Sequence, residues 1–108
     1  MKLRVVISRR AEDDVQQAHD WWAEHRSAEQ ASRWYEGLMR AMNQLAAKPL
    51  ECPRAIESSG VAIEVREMLF GVGRKPSHRV LFTIRPDSIL VLCVRHVSQD
   101  AVSPDELF

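Results

Sequence analysis

The stretch "ILVLCVRHVSQD", Ile89–Asp100, decides how this chain folds. It opens on six consecutive apolar residues, Ile89–Val94, and then reads Val94-Arg95-His96-Val97. An apolar run of this length, rich in branched side chains, predicts a fully buried strand over Ile89–Val97. Such a strand is too apolar to lie exposed, so other elements must cover it. Strict alternation sends Leu90, Leu92, Val94 and His96 one way, and Ile89, Val91, Cys93 and Arg95 the other. Arg95 and His96 therefore diverge unless a bulge or the strand end intervenes.

Two further strands precede it at short range. "HRVLFTI", His78–Ile84, places Val80, Phe82 and Ile84 on one face, and Arg79 with Leu81, Thr83 and Arg85 on the other. "VAIEVREMLF", Val61–Phe70, alternates Val61, Ile63 and Val65 against Ala62, Glu64 and Arg66. Gly71–Ser77 is a flexible turn, and "RPDS" is a tight one, because Pro and Asp pre-set turn geometry. Connections this short predict an antiparallel three-strand meander.

The N-terminal half supplies the cover. "LRVVIS", Leu3–Ser8, is a short strand with Leu3, Val5 and Ile7 on one face, and Ser8 sits where a helix N-cap belongs. Ala11, Val15, Ala18, Trp22 and His25 follow at helical spacing, with Glu12, Asp13 and Asp14 near the positive helix end. His25 caps the far end. Ser27 and Gln30 read as a capping box opening a second helix, whose stripe is Ala31, Trp34, Leu38, Met42 and Leu45, and Pro49 ends it. The gap Glu24–Ser27 forces an antiparallel hairpin. Pro49–Gly60 is a loop. The expected fold is α+β: an N-terminal strand and a two-helix hairpin packed on one face of an antiparallel sheet, the other face staying partly open and more polar.

Composition narrows the function classes. The 108 residues fit one domain, spanning 1–108, and Lys+Arg 15 balances Asp+Glu 15. Zero net charge gives no whole-molecule attraction to nucleic acid or acidic membranes. From Arg66 to Gln99, however, six cationic residues face only Glu67 and Asp87. The N-terminus lacks a signal-peptide core, and no apolar stretch reaches the ~18 residues of a membrane span, so a soluble cytoplasmic protein is expected. Cys52 and Cys93 have no paired spacing, which predicts neither a disulfide framework nor a metal site.

The candidate chemistry lies in the meander. Arg66, Arg79, Arg85 and Arg95 are expected on one face, where forked guanidinium groups suit phosphate. The alternative is a solvated face on which Glu64, Glu67 and Asp87 pair them. His96 suits acid–base work by its intrinsic pKa, with His78 a second candidate, or it simply hydrogen-bonds backbone at the strand end. No Cys, Asp or Glu stands at ligand spacing from either histidine, so no metal and no cofactor are expected. Trp22 belongs to the core stripe, whereas Trp21 flanks it at the helix–sheet boundary or in a partner interface. No hydrolase triad and no phosphate loop is present; "FGVGRKPS" opens no helix.

Taken in order, "REMLFG", "HRVLFTI" and "ILVLCVRHVSQD", behind "AEDDVQQAHDWWAEH", resemble the RelE/ParE superfamily of type II toxin–antitoxin systems over nearly the whole chain. The terminal Val-Arg-His is similar to the ParE, or plasmid-stabilisation, branch. The resemblance implies a growth-inhibiting toxin neutralised by a cognate antitoxin in a hetero-oligomer. The target would be DNA gyrase in the ParE branch. In the RelE branch it would be ribosome-bound mRNA, and the chain would be an endoribonuclease. Arg79 matches the phosphate-contacting arginine of the nucleases, and Arg66 lies near a family basic position. Three departures weigh against cleavage. Glu64 stands where the nucleases carry lysine, Gln99 where a second arginine belongs, and the only tyrosine, Tyr35, is in the second helix. His96 would then have to supply the missing proton transfer. A third reading is a degenerate member that only binds antitoxin.

Overall fold

The computed structural model describes residues 3–107. Strand β1 (Arg4–Ile7) leads into helix α1 (Arg9–His25) and helix α2 (Ala28–Gln44). Two 3₁₀ turns, Pro49–Glu51 and Ile56–Gly60, precede β2 (Arg66–Phe70), β3 (His78–Ile84) and β4 (Ser88–His96). A single helical turn, α3 (Pro104–Leu107), closes the described chain. The sheet order is β1-β4-β3-β2, which places the apolar strand in the interior. Among the described residues no helix is long and apolar enough to cross a membrane.

The α+β architecture is the one the sequence implies, with two corrections. β2–β3–β4 is the antiparallel meander, but β1 pairs with β4 in parallel, from Arg4 opposite Ser88 to Ile7 opposite Val91, so the sheet is mixed. Reversal through the helix hairpin returns β1 to the edge that the meander leaves free. The second correction concerns the remote sheet face. It is not open: Ala55, Val65, Val102 and Leu107 pack there on Leu81, Leu92 and Cys93, forming a second small core. The strand begins only at Arg66: of the alternating residues Val61 and Val65 pack in this second core, whereas Ile63 is exposed. Val65 is fully buried, its N–H donates to Ser58 Oγ and its carbonyl accepts from Ala55.

Both helices form where their caps and stripes place them. Ser8 Oγ accepts from the Ala11 N–H at 3.1 Å, and Ser27 Oγ from the Gln30 N–H at 3.1 Å. His25 Nδ1 lies 3.0 Å from the Trp21 carbonyl, at the end of α1. Ala31, Trp34, Leu38, Met42 and Leu45 are all buried, the last four in one core with Val80, Phe82, Ile89 and Val91. α2 ends at Gln44, and Pro49 opens the next 3₁₀ turn. Gly37 permits the close approach to the sheet, since a Cβ there would meet Phe70 Cζ at 3.0 Å.

β4 breaks its own alternation. Leu81 faces Cys93 but Phe82 faces Val91, so Leu92 is an extra residue, a β-bulge. Ile89 and Val91 therefore share the helix-side core with Val94, while Leu92 and Cys93 both belong to the remote core. The bulge moves His96 onto the helix face with Val94 and leaves Arg95 on the remote face.

Candidate functional site

The four arginines do not form one patch. Arg66 stands opposite Phe82 and so faces the helices; its guanidinium donates to Glu64 and to the Cys52 carbonyl. Arg85 is exposed in the turn beyond β3, at the other end of that strand from Arg79. Only Arg79 and Arg95 are neighbours, directly paired across β3 and β4 on the remote face.

Arg79 is fully engaged within the protein. Glu57, in the second 3₁₀ turn with its side chain 1% exposed, receives Nη1 at 2.9 Å and Nη2 at 2.6 Å. Nε donates to Glu67 on β2. Glu57 Oε2 also accepts the Val102 N–H at 3.0 Å, tying the C-terminal segment to the same ion pair. Burial works to raise the Glu57 carboxyl, but hydrogen bonds from Arg79, Val102 and its own backbone hold it below the usual range. The bond to Glu57, opposed by burial and reinforced by Glu67, keeps Arg79 charged well beyond its ordinary range. All three guanidinium nitrogens thus donate to internal carboxylates, and the Nη1–Nη2 edge that would fork onto a phosphate is taken by Glu57. Arg95 is less well served. Among the described residues its Nε is buried without a partner, and Nη1 is 3.5 Å from Glu106.

The helix side holds a different constellation. An open cleft of about 710 Å³ lies between α1 and the ends of β3 and β4. Arg10, Asp14, Trp21, Arg26, His78 and His96 are among its lining residues. The first three of these lie on one side of α1 at helical spacing, and Arg26 follows at its C-cap. His78 and His96 are direct cross-strand partners, with ring centroids 5.3 Å apart and planes at 79°. Asp14 is committed: Oδ2 accepts the Val94 N–H at 3.0 Å and Oδ1 pairs with Arg10 at 3.3 Å. It seals the edge of β4 that β1 is too short to reach.

The histidines are fixed differently. His96 Nδ1 accepts the Ser98 N–H at 3.1 Å and lies 2.7 Å from Ser98 Oγ. This pins the ring and assigns its proton to Nε2. His78 is 7% exposed, with Nδ1 2.7 Å from Ser77 Oγ and its ring 5.0 Å from Trp34. Burial, helped by the neighbouring His96, pushes His78 down from 6.5 to about 4. His78 is therefore neutral at ordinary pH.

That depression makes stability pH-dependent. Between the two values the unfolded chain binds the proton and the folded chain refuses it, so His78 costs nothing above pH 6.5 and destabilises progressively towards pH 4. The span corresponds to about 3 kcal/mol. Urea midpoints should be level near neutrality and decline as the pH drops through this window. His78→Gln should flatten the decline, and an equally steep decline in that variant would show that another group causes it.

Sequence alternation set His96 beside Val94, as found. It could not supply the register that brings His78 opposite His96. Glu57 was missed because a loop carries no periodic signal. Arg10, Asp14 and Trp21 carry one in their helical spacing, but it runs beside a more apolar stripe that belongs to the core.

Comparison with known families matches residues 5–101 to the ParE toxin of type II toxin–antitoxin system, parDE. Among solved structures, a chain from the chromosomal ParDE TA system from P. aeruginosa is similar, with a TM-score of 0.73 and 16% sequence identity. The likeness covers 90% of this chain and 98% of that one, and it concerns the fold. No curated protein matches the sequence.

Proposed function

The chain belongs to the ParE toxin family of type II toxin–antitoxin systems, and on that premise we propose that it arrests growth by binding its target, with a cognate antitoxin holding it silent. The observation that carries a binding mechanism over RNA cleavage is the Glu57–Arg79–Glu67 network. The one arginine that matches the nuclease branch spends its donors on internal carboxylates. Cleavage by 2′-hydroxyl attack needs charge stabilisation at the phosphate as well as proton transfer. His96 serves only the second need. DNA gyrase, the target in the ParE branch, is the proposed target here.

The test is induction in a bacterium lacking the antitoxin, with and without the antitoxin supplied in trans. Growth should stop in the first case and recover in the second. Purified protein should then inhibit supercoiling by gyrase and leave ribosome-bound mRNA intact. Cleaved message with normal supercoiling would replace this reading by the nuclease one. Undisturbed growth at high soluble expression would leave only an antitoxin-binding module.

A further inference from the structure

We propose that the helix-side cleft binds a nucleoside phosphate, the base against Trp21 and the phosphate between Arg26 and His96. The proposal is independent of whether the chain arrests growth, because it concerns the cleft and not the remote face. Three features of the cleft carry it.

The first is charge. Arg10 and Arg26 line the cleft beside Asp14; Arg10 is shared between Asp14 and Glu106, whereas the Arg95 side chain turns to the remote face, so Arg26 is the cation the cleft offers. Asp14 is neutralised by Arg10 and by the Val94 N–H, so it presents little repulsion. Among the described residues Arg26 has no ion-pair partner, and it stands just past the end of α1. The cleft therefore attracts an anion.

The second is the direction of the donors. Because His96 Nδ1 accepts from Ser98, its Nε2–H is the ring's available donor. Gln99 accepts the His96 N–H through Oε1, which leaves its amide N–H groups unspent in that bond. Fixed N–H donors beside a guanidinium are the groups that take phosphate oxygens.

The third is the aromatic wall. Trp21 is 47% exposed, yet its ring is held: it stacks on His25 at 4.7 Å and meets Trp22 edge-on at 5.6 Å. A large ring kept rigid at the surface beside cationic donors provides a stacking platform. A volume near 710 Å³ is in the range of small-ligand sites and suits a mononucleotide. An acidic peptide would satisfy the arginines but would not use the flat indole surface.

Calorimetric titration of the full chain with adenosine 5′-monophosphate tests this, with tryptophan quenching as a second readout. Saturable binding is expected. Trp21→Ala and Arg26→Ala should each weaken it about tenfold. Both side chains are on the surface, so the fold should survive, as circular dichroism can verify. Arg33→Ala, outside the cleft, should bind like the parent. A short oligoadenylate titrated in parallel distinguishes a free nucleotide from one in a strand, and preference for either supports the site. Adenosine or inorganic phosphate binding as tightly as the monophosphate would overturn the two-part ligand. So would unchanged affinity in both cleft variants, no saturable binding at millimolar monophosphate, or binding of a glutamate-rich peptide alone.

Discussion

Replacing Glu57 with alanine is expected to cost about 3–5 kcal/mol of folding stability. The side chain is 1% exposed, and three hydrogen bonds converge on it: two from Arg79 and one from the Val102 N–H. Without it, a guanidinium is left in the protein interior with only Glu67 beside it. The loss is a large share of the ~5–15 kcal/mol that holds an ordinary domain together. Arg79→Ala should cost a similar amount, because it leaves Glu57 buried and unpaired. Removing the pair together is different. Glu57→Met with Arg79→Met trades two desolvated charges for apolar bulk, which is often neutral or better. Urea unfolding of the wild type, Glu57→Met, Arg79→Met and the double variant closes the cycle that gives the coupling. Less than about 1 kcal/mol lost in Glu57→Ala would show that the network is not a structural lock. The same set bears on function. Loss of toxicity in Arg79→Ala alone would report unfolding, whereas toxicity retained in the double variant would show that the target does not need Arg79.

Trp34→Ala should cost about 3–5 kcal/mol for a different reason. Trp34 is wholly buried between α2 and the sheet, among Leu38, Phe82 and Val80. Its removal leaves a cavity that a rigid sheet and a capped helix cannot close. Trp34→Phe should cost much less. Among the described residues the indole Nε1–H is buried without a hydrogen-bond partner, so phenylalanine removes a penalty along with part of the volume. Equal losses in the two variants would mean that volume has no part in the effect. The alanine variant should also loosen His78, whose ring rests against Trp34, and so reduce the acid sensitivity of the fold.

Much of the fold was legible because local rules act alone there. Ser8 and Ser27 cap their helices with their own hydroxyls, and the stripe from Ala31 to Leu45 is the stripe that is buried. The run Ile89–Val94 could only be an interior strand, and the sheet order places it there. The arginine patch was misread because each strand was treated as an isolated alternation. Arg66 is one residue from Glu67, yet the pairing of Arg66 with Phe82 and Glu67 with Leu81 puts them on opposite faces. Counting from Glu64 through the bend before β2 carried the wrong parity into the sheet.

For Arg95 and His96, the sequence by itself determined that adjacent side chains at a strand end must diverge. That follows from the pleat and survives in the structure. It also determined two capped helices, three meander strands and a buried apolar run, since each depends on residues close in the chain. Only the tertiary structure decided which face each of the two residues took, because the bulge at Leu92 arises from the register between β3 and β4. Only it could set His96 opposite His78, and give Arg79 a carboxylate from a loop 22 positions away. Those partners are fixed by long-range packing and by the cost of leaving a buried charge alone, and neither leaves a period in the sequence.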